Sequence, residues 1–189
     1  MFKDLVIANR SRRRFFSDYK VTREQLLSLV ELARNTGYTA NSQALKFMTV
    51  CDEEGNAKVY ETLAWAGALK DWDGPVPEER PTGYIIILCD KTLGRDKQLD
   101  VGITAQTMML GATEMGLGGC MLGCINRPLF AENFNIDTDR YSIELCLALG
   151  KPKEEVRLVD VGPDGSVAYY RDEAGVHYVP KRKLEDILY

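Results

Sequence analysis

The spacing of apolar residues predicts that helices and strands alternate along the chain. Phe2, Leu5 and Val6 lie at helical spacing, which predicts a short first helix ending where a run of arginines begins. Thr22, followed three residues later by Gln25, matches a capping box and precedes a regular apolar stripe. This pattern predicts a second helix over about residues 23–35.

Continuous apolar runs predict the strands of a sheet. The segment YIIILCD at residues 84–90 is apolar throughout and rich in β-branched residues, which is typical of a strand buried on both faces. We expect it to be central in its sheet. Further strands are predicted for LKFMTVC at 45–51, GGCMLGC at 118–124 and SIELCLALG at 142–150.

The remaining segments predict four helices, the last of them after an extended segment. Residues 54–72 are expected to form a helix that runs into a proline-rich loop, and residues 97–115 a long helix poor in charge. Asn126 and Pro128 are expected to open another helix. Turns are expected near residues 163–165 and 173–175, and a terminal helix after Pro180. We predict one domain over residues 1–189.

Composition excludes several classes of protein. Hydrophobic residues make up 45% of the chain, enough for a sizeable core, and the formal net charge of −4 argues against a general nucleic-acid binder. No apolar run approaches the length of a membrane span, so we expect a cytoplasmic protein with no membrane partner. The five cysteines are an odd number and mostly lie in apolar runs, which favours reduced thiols over disulfides.

Three features that suggest catalysis or metal binding have simpler interpretations. His177 is the only histidine, and it lies in a predicted hairpin, where an ordinary polar residue is the simpler interpretation. Cys120 and Cys124 lack further soft ligands nearby, so we expect core thiols and no metal site. The glycines at 116–123 follow a helix instead of a strand, which makes a dinucleotide fingerprint a weak interpretation. They either end the helix or form a tight turn against a flat ligand.

The run NRSRRRFF at residues 9–16 carries the strongest chemical signal. Its four arginines fit a nucleic-acid patch, a solvated charged face or a pocket for one phosphorylated small molecule. Arg10, Ser11 and Arg13 together form a donor set that suits phosphate oxygens, whereas Arg12 and Arg14 also fit a solvated surface. A second basic cluster at residues 181–183 would meet the first if the termini are close.

The chain resembles the nitroreductase family of FMN-dependent oxidoreductases at four places in order. The family's Arg-Ser-x-Arg-x-aromatic motif is matched from Arg10 to Phe15, and its Asn-x-Gln motif by Asn41 and Gln43. A Gly-Leu-Gly segment at 116–118 and a basic pair near the C-terminus complete the series. One departure is that Ala44 and Leu45 stand where the family often has Pro-Trp, which affects the shape of the substrate pocket.

The resemblance implies an α+β fold with three α/β/α layers, a central mixed sheet and a homodimer holding FMN at the subunit interface. It places Arg10 and Ser11 at the phosphate, together with Lys181 and Arg182, and Arg13 near the pyrimidine edge of the flavin. Lys70 is a second cation implied there. Thr39, Asn41 and Gln43 would contact the ring and ribityl chain, with the backbone of Leu122 and Gly123 near N5 and O4.

The implied activity needs no catalytic side chain, since the cofactor carries hydride from NADH or NADPH to an acceptor. We expect the acceptor to be a nitroaromatic, a quinone or a similar flat molecule. Two alternatives stay open. One is a specialised flavoprotein of the same fold that dehalogenates a substrate or consumes its flavin, and the other is a non-enzymatic binder of a phosphorylated ligand or nucleic acid.

Overall fold

The computed structural model describes residues 1–69, 71–93 and 98–189. The described residues contain five α-helices and eight β-strands. The helices are α1 (Phe2–Ala8), α2 (Arg23–Arg34), α3 (Glu53–Tyr60), α4 (Gln98–Glu114) and α5 (Arg127–Phe134). The strands are β1 (Phe15–Phe16), β2 (Leu45–Val50), β3 (Gly83–Asp90), β4 (Gly118–Leu122), β5 (Tyr141–Pro152), β6 (Val156–Asp160), β7 (Tyr170–Arg171) and β8 (His177–Lys181).

The main sheet is built around β5, which pairs antiparallel with β1, β3 and β4. Strand β2 adds antiparallel to the other edge of β3. Residues 146–149 of β5 pair with both β3 and β4, so β5 lies between these two strands. The strands β3 and β4, which α4 connects, therefore run in the same direction, but β5 lies between them.

The predicted mixed main sheet is found only as one parallel bridge among the described residues, between Ser11 and Gly119 of β4, since every pairing between the described strands of that sheet is antiparallel. The physical reason is the insertion of β5, which runs opposite to both of its neighbours. A parallel pairing does occur in the second, three-stranded sheet, where β8 pairs parallel with β6 and antiparallel with β7.

Strand β3 is buried along its whole length, as its apolar run predicts, and its side chains serve two hydrophobic clusters. Ile85 and Ile87 pack in one cluster with α2 and α4, whereas Tyr84 and Ile86 pack in the other with α3 and α5. This division follows from the alternation of side chains along a strand. The main sheet thus separates two apolar cores, each covered by helices.

Several local predictions are confirmed. Helix α2 begins at the predicted capping box, in which Thr22 Oγ1 accepts from Gln25 N and Gln25 Oε1 accepts from Thr22 N. Asn126 caps α5 by accepting from Leu129 N. The apolar helix α4 and the four predicted strands also lie where expected, within a few residues.

Two predicted helices are wrong. The helix predicted for residues 54–72 ends at Tyr60, because the following backbone bonds to the segment after β4: Ala64 N donates to Cys124 O and Asn126 N donates to Thr62 O. The terminal helix after Pro180 is replaced by the end of β8 and a short 3-10 turn, Leu184–Ile187. Pairing with β6 holds Pro180 and Lys181 extended.

No helix among the described residues is long and apolar enough to span a lipid bilayer.

Candidate functional site

A cavity of about 330 Å³ lies between the arginine-rich segment after α1 and the C-terminal strand β8. Arg10, Ser11 and Arg13 line one side of it, and His177 and Lys181 the other. The two basic clusters that lie more than 160 residues apart in the sequence therefore meet at one cavity. Asn9, Gln106, Met109, Met121, Tyr169 and Val179 complete the lining.

The backbone after α1 explains which side chains reach the cavity. The chain becomes extended at Asn9 (φ −72°, ψ 99°), and the segment docks along β4 through a bridge between Ser11 and Gly119 and a bond from Arg12 N to Gly119 O (2.8 Å). Successive side chains of an extended segment point to opposite sides. Ser11 and Arg13 therefore share the cavity side, and Arg12 and Arg14 do not line it.

Arg12 and Arg14 are held by partners within the fold. The guanidinium of Arg12 donates to Glu154 O at 2.5 Å. Arg14 makes a bidentate ion pair with the buried carboxylate of Glu79, which Lys153 also contacts at 2.9 Å. The earlier interpretation of these two arginines as a solvated face is therefore wrong, because both anchor distant segments of the chain.

Glu154 connects the arginine segment to the small sheet. Its side chain is fully buried and accepts from Arg13 N and, at 3.0 Å, from Arg171 Nη2. The guanidinium of Arg13 also lies over the ring of Tyr169, 4.9 Å from its centroid. A buried carboxylate requires such donors, so Glu154 fixes both walls of the cavity in place.

Three nitrogen atoms at the cavity are buried without a hydrogen-bond partner among the described residues. They are Arg10 Nε, Arg13 Nε and His177 Nδ1. Unpartnered buried donors are costly, and an anionic ligand is the group that would satisfy the two arginines. Burial lowers the pKa of His177. The negative charge of Glu154 opposes this lowering, and the positive charges of Arg13 and Arg171 add to it.

The residues Thr39, Asn41 and Gln43 do not line this cavity. They form a separate exposed turn in which Ala40, Asn41 and Gln43 all have positive φ (50°, 51° and 47°). Thr39 N and Oγ1 both donate to the buried Asp100 Oδ1 at 2.8 Å, and Gln43 Nε2 donates to Asn41 Oδ1 at 3.1 Å. Left-handed backbone at successive non-glycine residues is strained, and such strain clusters at binding sites.

The other predicted residues lie elsewhere. Leu122 is buried in β4 opposite Cys146, and Gly123 lines an exposed groove beside Arg127. Arg182 is exposed and does not line the cavity, unlike its neighbour Lys181. Lys70 lies outside the described residues. The roles assigned to these residues stay predictions.

Cys51, Cys120, Cys124 and Cys146 are free thiols in the structure, and Cys89, Cys120 and Cys146 are buried. Burial raises the pKa of the Cys120 thiol, and the nearby Arg13 guanidinium partly offsets this rise. Within residues 1–69, 71–93 and 98–189, no group of three or more His, Cys, Asp or Glu side chains is arranged to hold a metal ion.

Sequence reasoning missed Tyr169, His177 and Glu154. His177 is 1% exposed and its ring lies 5.2 Å from that of Tyr169, so the interpretation as an ordinary hairpin residue is wrong. The alternate residues His177, Val179 and Lys181 of β8 line the cavity, but no local signal in the sequence shows that this face of the strand covers the arginines.

Comparison with known proteins identifies the fold. A family model described as the nitroreductase family matches residues 90–151. A nitroreductase family protein from Streptococcus pneumoniae TIGR4 superposes with a TM-score of 0.69 at 19% identity, covering 87% of this chain and 96% of that one. The chain has the nitroreductase fold. The resemblance predicted from the sequence motifs is thereby confirmed.

Two further structures show the same nitroreductase fold. An FMN-dependent nitroreductase from Clostridium difficile R20291 has a TM-score of 0.64 at 22% identity, covering 80% of this chain and 87% of that one. A protein from Exiguobacterium sibiricum 255-15 solved in complex with FMN has a TM-score of 0.64 at 21% identity, covering 80% and 88%. The search of curated proteins gave no match.

Proposed function

We propose that this protein is an FMN-dependent oxidoreductase that takes electrons from NADH or NADPH and passes them to a nitroaromatic, a quinone or a similar flat acceptor. The observation that carries the proposal is the single cavity shared by Arg10, Ser11, Arg13 and Lys181. The nitroreductase fold supports it, as does the FMN named for two proteins of that fold.

The donor set of the cavity fits the phosphate of FMN. Arg10 leaves Nε unpartnered within the described part of the chain, Ser11 supplies a hydroxyl, and Lys181 supplies a further positive charge. Arg13, whose Nε is also unpartnered there, is proposed to lie nearer the pyrimidine edge of the flavin. Guanidinium groups match phosphate oxygens by charge-assisted hydrogen bonds. Because Arg12 and Arg14 already have partners, they are not needed for the ligand.

Bound FMN supplies two-electron transfer between a nicotinamide and an acceptor. The residues of this chain bind and orient it. Arg13, held by Glu154 and Tyr169, brings a fixed positive charge to the site, which favours negative charge on a reduced ring. No side chain is assigned a proton transfer, and the buried thiol of Cys120 is not needed as a nucleophile.

We further propose a homodimer with three α/β/α layers in each subunit. Thr39, Asn41 and Gln43 stand apart from the arginine cavity, so in this proposal they contact the flavin held by the other subunit. The backbone of Leu122 and Gly123 is proposed to lie near N5 and O4 of the ring. The two helix-covered cores of the main sheet agree with three layers.

Exposed apolar side chains on neighbouring helices support the dimer. Leu99 and Ile103 of α4 are 69% and 45% exposed, and Phe2 and Ile7 of α1 are 72% and 50% exposed. Helix α1 packs against α4, so these side chains lie on adjoining elements. An exposed apolar surface of this kind is typical of an obligate interface.

Pigment analysis and flavin reduction test the proposal. The purified protein should be yellow, release FMN and no FAD on denaturation, and bleach when mixed anaerobically with NADH or NADPH. Release of FAD alone, or a colourless protein that does not take up FMN, would contradict the proposal and favour the non-enzymatic binder. Bleaching without turnover of nitro or quinone acceptors would favour the specialised flavoprotein.

A further inference from the structure

A second cavity, of about 430 Å³, lies between α3, the ends of β2 and β3, and the loop that contains Pro77 and Pro81. It shares no lining residue with the arginine cavity described above. Its charged lining side chains are Lys20, Glu53 and Arg80.

Arg80 is the cation that a ligand would address. Its guanidinium lies over the ring of Tyr60 at 3.9 Å from the centroid, and Tyr60 is fixed by a hydrogen bond to Pro75 O (2.9 Å). Arg80 Nε is buried without a hydrogen-bond partner, and no carboxylate in the described residues pairs with the guanidinium. In contrast, Arg14 and Arg171 each bind a buried carboxylate.

Asn56 supplies an acceptor in the same cavity. Its Nδ2 donates to Thr82 O at 3.0 Å, which fixes the amide, while Oδ1 is buried and has no donor among the residues described. Thr82 is itself held by its hydroxyl, which donates to Tyr19 O at 2.8 Å. The cavity thus presents an unpaired guanidinium and an unpaired amide oxygen on a hydrogen-bonded frame.

We propose that this cavity binds a small organic carboxylate that carries a hydroxyl group next to the carboxylate and an apolar body. Arg80, with Lys20, binds the carboxylate, because a guanidinium fork matches its two oxygens. Asn56 Oδ1 accepts from the hydroxyl. Pro77, Pro81 and Ala57 provide apolar walls, and the volume lies in the range of small-molecule sites.

The proposal assigns a binding role to this cavity and no role as nucleophile to its thiol. Cys51 lines it, but burial raises the pKa of this thiol and the neighbouring charges of Asp52 and Glu24 raise it further. The thiolate is therefore disfavoured near neutral pH.

Mandelate and phenylacetate, which differ by one hydroxyl, test the proposal by calorimetric titration of the purified protein. The wild type should bind both and prefer mandelate. Arg80→Gln should weaken both by about tenfold or more, the scale of a hydrogen bond to a charged group. Asn56→Ala should lower the affinity for mandelate to that for phenylacetate. Arg34→Gln, on an exposed arginine of α2, is the matched control and should change neither.

Circular dichroism checks that each variant is folded. If Arg80→Gln does not fold, Lys20→Gln replaces it and should weaken both ligands by a smaller factor. The proposal is overturned if the wild type binds neither acid, or if folded Arg80→Gln binds both acids as tightly as the wild type does. It is also overturned if sodium chloride displaces phenylacetate as effectively as mandelate does at the same concentration. None of these results depends on flavin, so they leave the proposed oxidoreductase activity untouched.

Discussion

Replacement of Glu79 by Gln removes the carboxylate that binds Arg14 and Lys153. Glu79 lies in a 3-10 turn (Pro77–Glu79) on the loop before β3, and its partners belong to the arginine segment and to the residues after β5. Three distant parts of the chain therefore meet at one side chain that is 7% exposed. We expect the variant to fold with lower stability.

The pKa of Glu79 gives the magnitude. Hydrogen bonding from Arg14, reinforced by Lys153, lowers this pKa from 4.5 to about 2, against the opposing effect of burial. A shift of this size corresponds to about 3 kcal/mol of stability once the carboxyl is ionised. Lys153 is 41% exposed, so solvent screens part of the interaction and we expect a loss of about 2–3 kcal/mol at pH 7.

The sign of the pH dependence follows from the lowered pKa. The carboxylate contributes its full stabilisation above its unfolded pKa of about 4.5 and loses it as the pH falls towards 2. Urea unfolding of the wild type and Glu79→Gln should therefore show a difference in unfolding free energy that is largest at pH 7 and shrinks below pH 4.5.

Glu31→Gln is the matched control. Its pKa is also lowered to about 2 by an arginine, Arg34, but this carboxylate is exposed on the surface of α2. Solvent screening should make its loss much smaller than that of Glu79→Gln. The reasoning would be refuted if the two substitutions cost the same, or if the Glu79→Gln difference were independent of pH.

Three further predictions concern the candidate site and the thiols. Arg10→Ala should weaken FMN binding by about 1.5–3 kcal/mol in a fluorescence titration. Arg12→Ala should mainly lower the stability of the protein to urea, since the Arg12 guanidinium donates to Glu154 O. Equal effects of the two substitutions on FMN binding would contradict this assignment. An aromatic disulfide reagent should modify the exposed Cys124 in the native protein but reach Cys146 only when the protein is unfolded. Burial raises the pKa of the Cys146 thiol and blocks access of the reagent to it. Rapid labelling of Cys146 in the native protein would contradict this prediction. The wild type should lose stability as the pH falls from 7 to 5, because burial lowers the pKa of His177 and the unfolded chain therefore binds a proton more readily than the folded one. This loss should be smaller in His177→Gln. An unchanged pH profile of the unfolding free energy would refute this prediction.

The sequence predicted those helices and strands that are determined by residues close together in the chain. The capping box at Thr22 and the buried run of β3 lie within a few residues of sequence, and both are confirmed. The end of α3 at Tyr60 was not predictable in this way, because it depends on backbone bonds to residues 124–126. The antiparallel main sheet likewise depends on β5 entering between β3 and β4, which no single segment encodes.

The residues of the candidate site could also be predicted only in part from the sequence. The sequence analysis expected the two basic clusters to meet if the termini are close, and Lys181 does line the cavity with Arg10 and Arg13. It did not predict that His177 would be buried there, since a lone histidine near a turn has no distinctive pattern. The strained turn at Ala40–Gln43 was predicted as a ligand-contacting segment from motif resemblance, and its positive φ angles add an independent physical reason to examine it.

Distant carboxylates occupy some arginines of the chain and leave others available for a ligand. Arg14 is paired with Glu79, 65 residues away, and the backbone of Arg13 is held by Glu154, 141 residues away. An arginine that already binds a carboxylate has little left for a ligand, whereas one with an unpartnered Nε beside a cavity has a donor available. Arg10, Arg13 and Arg80 have such an Nε, make no side-chain ion pair with a carboxylate of the described residues and line two separate cavities, whereas Arg171, whose Nε is also unpartnered, already binds Glu154. The same physical criterion therefore selects the proposed flavin site and the proposed carboxylate site, although only the first lies in a recognisable motif.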